Sequence, residues 1–389
     1  MYPPDLYCLE NNKVCRDRQT AFLPGFKPGV SCLLIMNETI QVGGRTAAIE
    51  DTKHVKMVSS DDYNYLFFKD DGYFVRYGAG LDDDPDFSPF GMEIADIEIS
   101  TICSNGCPFC YKSNTARGKN MSLETFKTIF TTFPATLTQI AFGIGDFDAN
   151  PDLRAIFQHC REKGIVPNVT INGSRMTADD YEFLAATCGA VAVSLYDYET
   201  CVTAVEELGK RGLTQVNIHC LLAEETYDDC LMILDRAKHD ARLAKYLNAV
   251  VFLWLKPKGD RNTYHQITNL DKLRHLFVVA EQNGVNIGFD SCSASNFTRA
   301  IGDRYKTCVE PCESTLFSVY IDVAGNAYPC SFSEGIGYTG VDVIGCTDFL
   351  ADVWYSDDFK RFRAAVIAGK DENGCRQCPI YDLACRDGA

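Results

Sequence analysis

Three cysteines directly behind a short alternating segment constrain this chain more than any other feature. Cys103, Cys107 and Cys110 are separated by three and two residues, and Ile97 to Ile102 before them alternates apolar and polar residues like a half-buried strand. Gly106 and Pro108 enforce a tight loop, so three thiolates gather at a strand's C-terminal end. On a four-iron cube, three protein ligands leave one iron open to a small chelating molecule. A zinc ion is the alternative, but structural zinc takes four protein ligands, and neither a histidine nor a fourth cysteine lies nearby in the sequence.

The chain has 19 cysteines in 389 residues, which suits neither a small secreted disulfide scaffold nor an ordinary reduced enzyme. Clustered thiolates on metal account for the number better. Cys8, Cys15, Cys32, Cys160, Cys188, Cys201, Cys220, Cys230 and Cys292 are scattered, mostly in apolar surroundings, and read as small buried hydrophobes. A C-terminal group remains: Cys308, Cys312, Cys330, Cys346, Cys375, Cys378 and Cys385. A zinc ribbon is the alternative reading of that group, because four thiolates also suit zinc.

A net charge of −16 argues against a nucleic-acid surface, which needs a basic stripe. No apolar run is long enough to span a bilayer, and the N-terminus lacks the basic-then-apolar pattern of a signal peptide, so a cytoplasmic protein is expected.

Strands alternate with helices after the first cysteine loop, which implies an α/β fold with a parallel sheet. Ser122 caps a helix to Phe130, and Leu153, Ile156, Phe157 and Cys160 follow helical spacing behind Asn150-Pro151. Thr177 and Asp180 form a capping box for the next helix. Further strands are expected at 139–142, 168–171, 191–195, 215–221 and 250–255. The division is a β-rich module over 1–95, an α/β domain over 96–292 and a cysteine-rich extension over 293–389. Within the first module, 65–69 and 73–77 flank Asp70-Asp71-Gly72 as a hairpin. This module either binds a leader peptide or covers the barrel.

The first cysteine motif, with Phe109 just before its last cysteine, resembles the signature of the radical S-adenosylmethionine (SAM) superfamily. Ile140 to Asp146 stands where that family carries a Gly-Gly-Glu motif, with Ile144 replacing its first glycine and Asp146 its glutamate. The resemblance implies a partial (β/α)6 barrel with a [4Fe–4S] cluster on Cys103, Cys107 and Cys110. It further implies SAM contacts from Phe109, Gly143, Gly145, Asp146, Asn172, Ser194 and Tyr196. An external reductant such as a flavodoxin or ferredoxin would load an electron onto that cluster, and SAM would be cleaved to a 5′-deoxyadenosyl radical that abstracts a substrate hydrogen.

Cys312, Gly325 and Cys330, followed by Cys375 and Cys378, resemble the SPASM and twitch extensions of that family, which hold auxiliary iron–sulfur clusters. A full SPASM pattern would need a cysteine beyond Cys385 where Ala389 stands, so the resemblance favours a twitch-like single [4Fe–4S] cluster on Cys312, Cys330, Cys375 and Cys378. Cys308, Cys346 and Cys385 are left for substitution into that set or for a second cluster.

Catalytic candidates at strand ends are Lys256 and Asp290 as proton carriers and Cys292 as a hydrogen-atom donor. His219 within a strand is either a catalyst or a hydrogen-bonded core residue. Members with such extensions frequently modify peptides, so a peptide or protein side chain is the leading substrate class. A dehydrogenase or other enzyme of small metabolites is the alternative, and a non-catalytic zinc-binding interaction protein is the reading from a different class.

Overall fold

A computed structural model describes residues 34–302, 311–370, 376–383 and 385. Residues 1–33, Cys308 and Cys375 lie outside the described residues.

The N-terminal part is a five-stranded antiparallel meander, β1 (Leu34–Val42), β2 (Arg45–Thr52), β3 (Val55–Ser59), β4 (Asn64–Phe68) and β5 (Phe74–Tyr77). The expected hairpin is β4 and β5, and Gly72 at φ 77° makes its turn in a conformation that side chains resist. The buried face, including Ala47, Ile49, Val58, Tyr65 and Phe67, packs with Phe90, Phe317 and Phe362. Lys56 Nζ donates to the Leu137 carbonyl at 2.6 Å and the Tyr65 hydroxyl to the Thr136 carbonyl at 2.5 Å. The meander is thereby fixed against the chain entering a barrel strand, at the end opposite the cysteine loop.

The second sheet joins β6 (Ile94–Glu98), β7 (Gln139–Gly143), β8 (Val166–Ile171), β9 (Val191–Ser194), β10 (Val216–Leu222), β11 (Ala249–Trp254) and β12 (Ile287–Phe289) in sequential parallel order. On the free side of β6 it continues with β13 (Ser318–Ile321), β14 (Asn326–Tyr328) and β15 (Val341–Asp342). β13 runs parallel to β6 and antiparallel to β14, so the C-terminal hairpin is an extension of the barrel sheet itself.

Helices α1 (Leu123–Phe130), α2 (Leu153–Glu162), α3 (Ala178–Thr187), α4 (Tyr198–Lys210), α5 (Tyr227–His239), α6 (Ala241–Tyr246), α7 (Leu270–Asn283) and α8 (Ala294–Ile301) follow the parallel strands, and α9 (Asp357–Ala368) closes the C-terminal part. Ser122 accepts from the Thr125 amide, and the Thr177–Asp180 capping box is complete. The four expected residues of α2 are buried, and Phe157 stacks on Phe142 of β7 with ring centroids 4.5 Å apart. Burial alternates along β10: Val216, Ile218, Cys220 and Leu222 face the helices while Asn217, His219 and Leu221 face the other side.

One boundary needs correction. The strand before the cysteines is Ile94–Glu98, upstream of the expected 97–102. Ile99 N still donates to Gly143 O of β7 at 2.9 Å, but beyond it the backbone bonds to a returning loop, with Thr101 N donating to Lys119 O at 2.9 Å. No helix among the described residues is long and apolar enough to cross a membrane.

Candidate active site

The loop leaving β6 carries Cys103, Cys107 and Cys110, all half-buried. Its base is closed by Cys103 N donating to Thr115 O at 3.0 Å and by the Ser100 hydroxyl on Asn120 at 2.7 Å. Cys110 N then turns back on Cys107 O at 3.3 Å, with Gly106 at φ 60° in the bend. Burial pushes the Cys103 and Cys107 thiols up, and neighbouring thiols push them further, while backbone amides of Asn105 and Gly106 turned to the Cys103 sulfur act the other way. Such crowding is relieved when metal takes the protons' place. No three Cys, His, Asp or Glu side chains among the described residues are placed to hold a single metal ion. Thiolates that share one zinc must all sit about 2.3 Å from it, whereas those on separate irons of a cube stand farther apart. Three thiols on one short loop, with no fourth protein ligand beside them in the sequence, are a donor set that a cluster with one open iron can use.

The segment after β7 is pressed against this loop. A Cβ on Gly145 would lie 2.2 Å from the Ile102 carbonyl oxygen and 2.5 Å from Cys103 Cβ, so only glycine admits that approach. The Asp146 amide donates to Ile102 O at 2.9 Å. Its carboxylate accepts from Ser104 N at 2.9 Å and Asn172 Nδ2 at 3.0 Å, and pairs with Arg175 at 2.8 Å. Burial would raise this carboxyl, but the Ser104, Arg175 and Asn172 donors outweigh it and hold it below the usual range. Asp146 and Asn172, both expected to touch SAM, are thus brought together and bonded to each other and to the cluster loop.

Gly259 was not foreseen. At φ 106° its absent Cβ would meet the Cys110 carbonyl oxygen at 2.2 Å, so the loop after β11 backs the third cysteine. Phe109 lies between Tyr196, 5.9 Å away, and Tyr264, 5.2 Å away. Tyr196 also bonds to the Cys107 sulfur and to Ser194. It is 49% exposed, an apolar ring left open at the mouth of the cysteine loop. Gly143 ends β7 beside Glu98 with its backbone accessible.

A second site is a cavity of about 240 Å³ lined by Cys292, Cys312, Cys330 and Cys378 together with Lys256 and Asp290. The two strand-end residues expected separately form an ion pair here. Burial works against the Lys256 ammonium, and Asp290 more than offsets it, so its pKa is raised. Asp96, in the middle of β6, opens into the same cavity with its side chain exposed there, and the cavity's walls and then Glu313 push its carboxyl above the usual range. No motif marked it, although its place opposite Ala95 and Ile97 on the strand is the signal of a lumen-facing side chain.

His219 does not line this cavity. It lies 3.4 Å from the Thr170 hydroxyl, and burial lowers its pKa to about 4 against the pull of Asp290. Cys346 bonds to Asp352 at 3.4 Å and Cys385 to the Ile267 carbonyl at 3.5 Å, and neither lines the cavity.

The two sites are joined. Tyr111 and Lys112, just past Cys110, reach the C-terminal part: Tyr111 packs on Phe332 with centroids 4.7 Å apart, and Lys112 Nζ bonds to Tyr320 and pairs with Glu98 and Glu334.

The sequence matches a family model of the radical SAM superfamily over residues 97–199 and one of an iron–sulfur cluster-binding domain, SPASM, over residues 312–379. No curated protein matches it. The fold is shared with SuiB of Streptococcus suis at a TM-score of 0.60 and 14% identity, over 85% of this chain and 98% of that one. SuiB bound to the precursor peptide SuiA gives 0.59 and 13%, over 76% and 86%. A structure of anSMEcpe with AdoMet and a Kp18Cys peptide gives 0.50 and 14%, over 75% and 93%.

A SAM-binding [4Fe–4S] cluster, SAM and an auxiliary iron–sulfur cluster are the cofactors of this pair of domains, and the zinc-binding interaction protein considered from composition is set aside. The chain thus carries a radical SAM domain over residues 97–199 and a SPASM iron–sulfur domain over residues 312–379, the pairing of a radical SAM enzyme.

Proposed function

We propose that this enzyme modifies a peptide, or a protein side chain, held in the barrel between the Cys103 loop and the cavity at Cys312. The observation that carries this reading is the extent of the shared fold: it covers 98% of SuiB, a protein also solved with its precursor peptide SuiA.

In this reading Cys103, Cys107 and Cys110 hold the SAM-binding cluster, and Cys312, Cys330 and Cys378 hold the auxiliary one. Bound at the first cluster, SAM supplies a 5′-deoxyadenosyl radical that takes a hydrogen atom from the substrate. Gly143 leaves backbone bare for close approach to SAM, Gly145 lets its segment pack on the cysteine loop, and Phe109 and Tyr196 offer aromatic faces to the flat base of SAM. Ser194 and Asn172 supply polar groups at strand ends, where barrel chemistry gathers. Asp146 sets the loop's position through Ser104. On the substrate side, the Lys256–Asp290 pair and the Asp96 carboxylate, which lines the same cavity, hold and receive protons. His219, neutral and bonded to Thr170, serves the packing. An electron donor of flavodoxin or ferredoxin type completes the cycle.

The test is to reduce the anaerobically purified protein with dithionite, add SAM, and compare 5′-deoxyadenosine release with and without peptides encoded beside its gene. The reading expects release to rise with one such peptide and the peptide's mass to change. Release that responds to a small metabolite and to none of the peptides would overturn it.

A further inference from the structure

Cys292 stands apart from the other scattered cysteines. Cys160, Cys188, Cys201, Cys220 and Cys230 are buried, as small hydrophobes are, whereas Cys292 is only partly buried and opens into the cavity that also holds Cys312, Cys330 and Cys378. It belongs to the barrel, not to the C-terminal motif: β12 ends at Phe289, and a single 3-10 turn, Ser291–Ser293, swings its side chain inward. That turn is pinned by Ser293 N on Asp290 O at 3.0 Å and by the Ser293 hydroxyl on the Asp290 carboxylate at 2.9 Å. Asp290 in turn is fixed by Lys256.

The thiols are mutual neighbours. Cys292 feels both Cys312 and Cys378, and Cys330 feels the same two. The cavity also presents a donor without an acceptor. Arg376 is 6% exposed and its Nε–H has no hydrogen-bond partner among the described residues, an arrangement that costs free energy unless something else accepts it. The cavity that Arg376 lines holds four thiols, with Lys256 paired to Asp290 and the carboxylates of Asp96 and Glu313 also on its wall, so Arg376 is the cation turned to the thiols.

We propose that Cys292 is a ligand of the auxiliary iron–sulfur cluster, forming one set with Cys312, Cys330 and Cys378 and taking the place expected for Cys375, which lies outside the described residues. The inference rests on the reading of this cavity as the auxiliary cluster site. It gives the barrel's last strand a direct bond to that cluster, and it removes Cys292 from the candidates for hydrogen-atom donation.

The test uses the full chain with Cys103, Cys107 and Cys110 replaced by alanine, reconstituted anaerobically. This parent is expected to hold about four irons. Adding Cys292→Ala is expected to lower the content to about three or fewer, with the paramagnetic signal of a three-iron cluster in the oxidised sample. Cys292→Ser, which offers an oxygen ligand in the same place, is expected to keep the cube and shift its reduced-state EPR spectrum. Cys188→Ala in the same background controls for loss of a buried thiol and leaves iron unchanged. Cys292→Ala and Cys292→Ser samples whose iron content and EPR spectra match the parent would overturn the inference. A parent without iron would instead remove the cluster reading beneath it, and the inference with it.

Discussion

Lys112, two residues past Cys110, places its Nζ 2.7 Å from the Tyr320 hydroxyl on β13. The same ammonium lies 3.2 Å from Glu98 and also pairs with Glu334, so one buried cation ties the SAM-cluster loop to the sheet extension that carries Cys330. Burial raises the Glu98 carboxyl while Lys112 draws it down, which marks Glu98 as dependent on this partner. Lys112→Met is therefore expected to cost about 3–5 kcal/mol, because it leaves a buried carboxylate unpaired. Adding Glu98→Gln should recover part of that loss. Anaerobic urea unfolding followed by circular dichroism measures both, and a single-variant loss under about 1 kcal/mol would contradict the coupling.

Gly145→Ala and Gly259→Ala should each disturb the first cluster more than the second. Their added Cβ atoms meet backbone carbonyl oxygens at 2.2 Å, which neither side chain motion nor solvent can relieve. Iron content is expected to fall by about four per chain while the auxiliary cluster's EPR signal persists. Full iron loading in both variants would show that the loop gives way without cost.

Asp146→Ala removes the acceptor of the Ser104 amide and the partner of Arg175 and Asn172. Loss of that charged hub is expected to weaken cluster retention at Cys103, Cys107 and Cys110, with Asp146→Asn intermediate because its oxygen still accepts from Ser104. Iron loss under a mild chelator, timed for the three proteins, checks the order. Equal rates would assign Asp146 to SAM binding alone.

Much of this was legible in sequence, and the exceptions have physical reasons. The parallel strands from β7 onward follow their alternation, and the caps of α1 and α3 follow their residues. The strand before the cysteines was misplaced because Ser100 to Ile102 keeps the alternation although Thr101 N bonds to a returning loop, and side-chain pattern does not report which backbone is the partner. Spacing singled out Cys103, Cys107 and Cys110, and then Cys312 with Cys330, since one short loop or hairpin brings such residues together, whereas Cys378 was placed by the family resemblance. Gly259, Tyr264 and Lys112 carry no motif, and the first two reach the cysteine loop from a strand far along the chain. Asp96 was hidden by its apolar neighbours, and only the strand's two-residue period tells that it points the other way.

His219 titrates out of the ordinary range. Its imidazole, held down to about 4 by burial, is protonated in the unfolded chain from about pH 6.5 downward, before the folded protein takes up that proton. Its stabilising effect is thus complete above about 6.5 and is lost between there and about 4, by an amount on the order of 1–3 kcal/mol. His219→Asn, which does not titrate, is expected to flatten the acid limb of stability against pH relative to wild type. Parallel pH profiles of urea midpoints for the two proteins would show this, and identical slopes between pH 4 and 6.5 would contradict it.

The measurement closest to the central claim is iron, sulfide and 5′-deoxyadenosine on the anaerobically purified protein, beside a Cys103/Cys107/Cys110→Ala variant. The account predicts about eight irons per chain, about four of them lost in the variant, with dithionite-dependent SAM cleavage only in the intact protein. Stoichiometric zinc, no iron after reconstitution and no cleavage of SAM would contradict it.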